Sequence, residues 1–376
     1  MDLSGTSGHE PEEVKEPVED EGKTTTMMIR AVVEAVHSSP SQAVLYLAGG
    51  ASQALGWLMS VPGASNTVLE AVVPYSKMSM IQLLGKIPAQ FCSEQTAEEL
   101  ALLAYNRALK LSRTDSPVIG VGFTGYLSGI HPKRGDHRFH VSARTSDRSW
   151  VSTVTLSKGL RTREQEDKVS SQFLLKAIAN ACTVPSTFNA ELTESDLSSA
   201  SEKTFDEDEE LEQLINGEVC FRVYPFSNDS HALDAERKII LSGSFNPLHD
   251  GHLKLLEVAS SICGNGYPCF EISAVNADKP PLSVQEIKDR VKQFERVGKT
   301  VIISDQPFFY KKVELFPGSA FVIGADTVAR LINYLWILLI IMLRSQSIMR
   351  EITRRCCKYL LDAKALDALF WWVAVM

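Results

Sequence analysis

Apolar positions along the chain fall into two blocks of alternating strand and helix signals, separated by a polar stretch. In the first block, Ala43–Leu47 is a short continuous apolar run and predicts a strand, and Ala51–Met59 is apolar at helical spacing. Ala97–Leu109 predicts an amphipathic helix, and Pro117–Phe123 an apolar strand interspersed with glycine. Val151–Leu156 alternates as a strand does, and Glu164–Ala181 predicts a second long helix. In the second block Ile239–Ser242, Cys269–Ala274, Thr300–Ser304 and Ala320–Ile323 are short, apolar and β-branched, with helical stretches at Leu253–Ser261 and Ser283–Arg296 between them. Strands alternating with helices predict right-handed parallel units, so the fold class is α/β in both halves.

The polar stretches set the boundaries. Residues 1–26 are rich in Glu, Pro, Gly and Thr and predict disorder. The first α/β unit then covers 27–183. Residues 184–236 are acidic and rich in Ser and Glu, and predict a solvated linker with a short strand near Glu218–Val223. The second unit covers 237–333, and 334–376 is a tail of different character.

Composition narrows the function classes. A net charge of -8 argues against bulk attraction to nucleic acid or an anionic membrane. Seven cysteines are scattered without metal-ligand spacing, and an odd number argues against a disulfide framework. A reducing compartment, cytoplasm or nucleus, follows. The N-terminus lacks the basic and apolar regions of a secretory signal. The apolar run Tyr334–Leu343 is ten residues, half the roughly 20 that a membrane-spanning helix needs.

Chemistry concentrates at one turn. The strand ending at Ser242 runs into Gly243, Ser244, Phe245, Asn246 and Pro247, then His249, Asp250, Gly251 and His252, and a helix follows. Open parallel sheets place ligands at the carboxyl ends of their strands. Small residues let the backbone approach a ligand, and a helix starting near Gly251 aims free amides and a positive dipole end at that spot, favouring phosphate. A lone pair of histidines is usually structural. Here a glycine turn, a strand exit and a helix entry coincide around the pair, and that favours a site.

The whole string over 243–252 resembles the His-x-Gly-His signature of adenylyl- and cytidylyltransferases, especially the nicotinamide-mononucleotide adenylyltransferases and their cytidylyltransferase-like relatives. Asn276 to Lys279 after the second strand, and Gly324 to Thr327 after the fourth, resemble that family's substrate-contacting segments. The resemblance implies a Rossmann-like parallel sheet. It also implies attack by a mononucleotide phosphate on the α-phosphorus of a nucleoside triphosphate, releasing pyrophosphate. His249 and His252 would contact the triphosphate, with Gly243, Ser244, Phe245, Asn246 and Gly251 shaping the pocket. Asn276, Lys279, Gly324 and Asp326 would contact substrate, although solvated loop charge is an equally good reading of Lys279 and Asp326. Mg2+ would arrive on ATP rather than sit in a protein cage.

The first unit resembles a second family. Ser60 to Ser65 (Ser-Val-Pro-Gly-Ala-Ser), Val73 to Ser76, Leu83 to Gly85 and Gly122 to Gly125 are similar to the C-terminal domain of competence-damage-inducible (CinA) proteins, a nicotinamide-nucleotide amidase in bacteria. That family's nucleophilic serine falls on Ala48 and its lysine on Met80. Alanine cannot attack an amide and methionine cannot take a proton. The expectation is a retained scaffold that binds a pyridine nucleotide or mediates assembly, with self-association suggested by the bacterial relatives. The alternative to an enzyme is thus a catalytically dead nucleotide-binding or scaffold protein.

The transferase resemblance stops at Asn333, and the family's next strand and late phosphate-binding segment do not follow. Codons available to Arg344–Met376, read in a shifted frame, can encode a family-like continuation that ends in Phe-Leu-Val-Gly-Gly-Arg. The tail therefore reads as out of frame and the transferase unit as truncated; a true amphipathic tail is the rival reading. Transcript sequencing should find reads joining codon 333 to an in-frame continuation. Abundant reads encoding only the present tail would remove the idea.

Overall fold

The computed structural model describes residues 18–112, 116–131, 134–226, 237–276 and 279–324. It begins with helix α1 (Val18–His37), whose Ile29, Val32, Val33 and Val36 form a buried stripe at helical spacing. The disorder expected over 1–26 is corrected from residue 18 onward, while 1–17 lie outside the described residues. Once packing holds the apolar turns, a helix extends into polar sequence at little cost.

Strand β1 (Gln42–Ala48) is buried along its whole length and forms the spine of the first unit. After it come α2 (Ser52–Ser60), α3 (Ala64–Thr67), β2 (Val68–Val72), α4 (Lys77–Leu84) and α5 (Glu94–Leu111). Three strands, β3 (Val118–Tyr126), β4 (His137–Arg144) and β5 (Arg148–Leu156), precede α6 (Arg163–Ala181) and β6 (Leu197–Thr204). The sheet order is β2-β1-β3-β4-β5-β6. Only β2, β1 and β3 run parallel; β3 to β6 form an antiparallel meander. One face packs on α1, α2 and α6, the other on α4 and α5. Helix α5 approaches β3 closely because Gly120 and Gly122 have no side chains. A Cβ on Gly120 would stand 2.1 Å from the Ala101 carbonyl oxygen, and one on Gly122 2.2 Å from that of Ala97.

The 184–236 stretch is not a free linker. Strand β6 is exposed at every residue, so no apolar alternation marks it; its backbone pairing with β5 alone makes it a strand. Helix α7 (Glu207–Ile215) follows, opened by a reciprocal capping box between Asp206 and Glu209. The segment is also docked. The side-chain amide of Asn106 donates to the Glu218 carbonyl at 2.7 Å and accepts from the Cys220 N–H at 2.9 Å.

Strand β7 (Phe221–Tyr224) enters the second sheet, which continues with β8 (Lys238–Ser242), α8 (Asp250–Cys263), β9 (Tyr267–Ser273), α9 (Val284–Val297), β10 (Val301–Ser304), α10 (Phe309–Leu315) and β11 (Ala320–Val322). Its order is β11-β8-β9-β10-β7, parallel throughout except for β7 at the edge. Helices α8 and α9 cover one face and α10 the other. Among the described residues no helix is long and apolar enough to cross a membrane, and Cys92, Cys182, Cys220, Cys263 and Cys269 are free thiols.

A carboxylate lies inside this sheet. Glu271 on β9 is fully buried, with Lys312 Nζ at 2.6 Å and Ser304 Oγ donating to it at 2.6 Å. Replacing Lys312 by Met strands that charge and should cost about 3–5 kcal/mol. The double variant Glu271→Gln/Lys312→Met should recover much of the loss. Urea denaturation of both decides, and equal destabilisation of the two would refute the pairing.

Candidate functional site

The loop after β8 is pinned from below. Gly243 N–H donates to the Glu271 carbonyl at 3.0 Å, carrying the sheet ladder one residue past the strand. Phe245 then turns inward at φ 43°, a left-handed conformation that a bulky residue adopts only under constraint. The constraint is aromatic. Its ring, 2% exposed, meets Phe270, Phe294 and His252 edge-on, with centroids 5.2, 5.4 and 5.0 Å away. Ser244 and Asn246, on either side, are therefore left exposed. A Cβ on Gly243 would come within 2.9 Å of the Phe245 ring, so glycine is required there.

Helix α8 starts at Asp250 with His249 as its N-cap. The rings of His249 and His252 stack at 3.7 Å, 23° from parallel, and the His249 N–H points at His252 Nδ1 from 3.4 Å. Gly251 makes the stacking feasible, since a Cβ there would lie 3.0 Å from His249 Nδ1. Partial burial pushes the His252 pKa below the ordinary 6.5, and the neighbouring His249 pushes the same way. The result is an imidazole pair, neutral at His252 near pH 7, at the positive end of a helix that the two histidines help to cap.

Of the other residues expected at the site, Asn276, Lys279 and Gly324 follow strands parallel to β8 and fall at the same end of the sheet. Asn276 follows β9 and its amide donates to the Pro280 carbonyl at 3.4 Å; Lys279 beyond it is exposed. Gly324 is exposed after β11, and Asp326 lies outside the described residues. Because β9 and β11 flank β8, Asn276 and Gly324 lie on either side of the Gly243 turn. Gln293 on α9 is the residue that the sequence did not single out. Its Oε1 accepts from Leu248 N–H at 2.8 Å and its Nε2 donates to the Phe245 carbonyl at 3.2 Å, bracing both ends of the loop. In an amphipathic helix it reads as one more polar position, and only the fold puts it under the loop.

In the first unit, Ala48 ends β1 at 6% exposure, and Met80 on α4 is 3% exposed in the same apolar cluster. Both are packing residues. The N-terminus of α2 beside them is filled by the chain itself. Asp167 accepts from the backbone N–H groups of Ser52 and Gln53 at 3.1 and 3.2 Å and from Ser52 Oγ at 2.8 Å. A cleft of about 490 Å3 opens here, lined by Gly49, Gly50, Ser52, Arg163, Glu164 and Asp167, and the helix end facing it is already occupied by Asp167.

The sequence model of the cytidylyltransferase-like family matches residues 240–368. The second unit is a cytidylyltransferase-like domain. That match runs from β8 through β11 and on into the tail, whose residues lie outside those described. The domain is of nucleotidyltransferase type, and nucleotides are its substrate class. Solved structures similar to the first unit are CinA-superfamily proteins. The competence/damage-inducible protein CihA of Agrobacterium tumefaciens is 16% identical over 41% of this chain and 95% of its own, with TM-score 0.33. A competence- or damage-inducible protein of Enterobacter asburiae is 11% identical over 42% and 94%, with TM-score 0.31. A CinA-superfamily protein of Klebsiella pneumoniae is 12% identical over 42% and 98%, with TM-score 0.33. No curated protein matches the chain.

Truncating Gln293 to Ala leaves a loop N–H and a carbonyl in the cytidylyltransferase-like domain without their partner. Stability should fall by about 1–2 kcal/mol, and amide exchange over residues 245–249 should accelerate. Unchanged exchange there would show that the loop holds itself.

Proposed function

We propose that the second unit joins nicotinamide mononucleotide to the AMP part of ATP and releases pyrophosphate, a step of pyridine-nucleotide metabolism. The observation that carries the reading is the stacked pair His249 and His252 at the N-terminus of α8, beside the Gly243–Asn246 turn at the carboxyl end of β8. The similarity of the first unit to a nicotinamide-nucleotide amidase family favours a pyridine mononucleotide as the acceptor.

In this reading ATP enters with Mg2+ on its phosphates. A phosphate oxygen of the mononucleotide attacks the α-phosphorus in line. The bond to the bridging oxygen breaks, and pyrophosphate leaves with the electron pair. No covalent enzyme intermediate is required, so the protein's work is positioning and charge stabilisation. The α8 amides and the two imidazoles meet the charge that grows on the triphosphate. Asn276, Lys279, Gly324 and Asp326, at the ends of the flanking strands or beyond them, are assigned to base, ribose or acceptor phosphate.

The sign of the pH effect follows from His252. In the free protein its pKa is lowered, so protonation below 6.5 costs stability. A bound triphosphate raises that pKa again, so binding takes up a proton and tightens as pH falls from about 8 to 6. Calorimetry in two buffers of different ionisation enthalpy should show the uptake, and His252→Ala should abolish it. With nicotinamide mononucleotide and ATP, His252→Ala should lower kcat by about 10²–10³. Pyrophosphate release that is absent in the unmodified chain, with ATP still bound, would favour the scaffold reading instead. Unaltered turnover in the variant would sink the assignment of the histidines.

A further inference from the structure

A cleft of about 530 Å3 lies between the two units, away from the histidine pair. Lys238, on its wall, begins β8, while Gly243 follows the end of that strand, so cleft and turn sit at opposite ends of β8.

The unusual wall residue is Arg144, at the end of β4, which is only 6% exposed. Its guanidinium lies over the Phe205 ring at 3.8 Å and faces that of Tyr105 at 5.7 Å. Nη2 donates to the neutral Gln213 Oε1 at 2.6 Å, and Nε has no acceptor. Among the described residues no carboxylate stands within ion-pairing distance of it; Glu210, Glu218 and Asp147 act on it only from further away. A desolvated cation without an anion is unfavourable, and rings and one amide offset that only in part.

The surrounding charge is mixed. Arg144, Arg148, Arg222 and Lys238 line the cleft against two acids, Asp147 and Glu210. Both acids are engaged: Glu210 is paired with Arg222, and Asp147 accepts from Thr145 Oγ1 at 2.8 Å. From outside the lining, Glu202 on β6 reaches Arg148 at 3.6 Å and Glu207 on α7 reaches Arg222 at 3.9 Å. Arg144 is thus a buried lining cation with no carboxylate within ion-pairing distance among the described residues, whereas Arg148 and Arg222 each have at least one. Much of the remaining wall is apolar. Its volume falls in the range of small-molecule sites, roughly 300–1,000 Å3.

We propose that this cleft binds a phosphate monoester with an apolar or aromatic body, of mononucleotide size, its phosphate on the arginines. Arg144 and Arg148 come from the first unit, Arg222 and Lys238 from the segment that enters the second. The ligand therefore bridges the two units and ties them together. The arginines matter beyond their charge, because a planar guanidinium fork meets phosphate oxygens pairwise and an ammonium does not.

The test is calorimetry on the full chain carrying His249→Ala and His252→Ala, which removes the imidazoles of the transfer site, with AMP and inorganic phosphate as probes. AMP should bind one to one and more tightly than phosphate. Arg148→Gln and Arg222→Gln, at the rim, should each weaken AMP by about tenfold, the size of one charge-assisted contact, with circular dichroism unchanged. Arg144→Met should abolish binding if it folds. AMP affinity unmoved by both rim variants, phosphate binding as tightly as AMP, or no heat from either probe at about millimolar concentration would each overturn the proposal. The readout is equilibrium binding, so absence of nucleotidyl transfer leaves it standing.

Discussion

Phe245 is the constraint on which the cytidylyltransferase-like site depends. Its ring is held edge-on by Phe270 from the sheet, Phe294 from α9 and His252 from α8, so one side chain ties together three elements and the loop that carries it. Burying that ring is favourable enough to hold a bulky residue in the left-handed region, and the backbone on either side must then face outward. The exposure of Ser244 and Asn246, the short reach from Gly243 to α8 and the position of His252 all follow. Gln293 completes the brace with two hydrogen bonds to the loop backbone. A loop assembled this way is preorganised by an apolar core directly beneath it.

In the first unit, packing residues occupy the two positions to which the sequence resemblance assigns amidase chemistry. Ala48 and Met80 fill apolar space, and Asp167 satisfies the free amides at the start of α2. Once such a helix end is capped internally, an anionic ligand must displace a carboxylate as well as water. The buried charges elsewhere follow the opposite logic. Glu271 and Lys312 compensate each other inside the second sheet, whereas Arg144 between the units has only rings and an amide. That contrast marks the inter-unit cleft as the place where the chain leaves a positive charge to be matched.

The sequence determined the parts whose cause is local. Short, mainly apolar runs specified β1, β3 and the four parallel strands of the second sheet, because a strand covered on both faces is mostly apolar. The Gly243–His252 string specified a turn between strand and helix, since its glycines and the helix start carry their own backbone preferences. Tertiary structure alone decided the rest. Strand β6 has eight exposed residues and exists through pairing with β5; α1 extends into polar sequence on the strength of a buried stripe further along. Gln293, Asp167 and Arg144 lie 48, 115 and 69 residues from the groups they bond. Polar side chains announce that they need partners, but which distant groups supply them is fixed only when the sheets close.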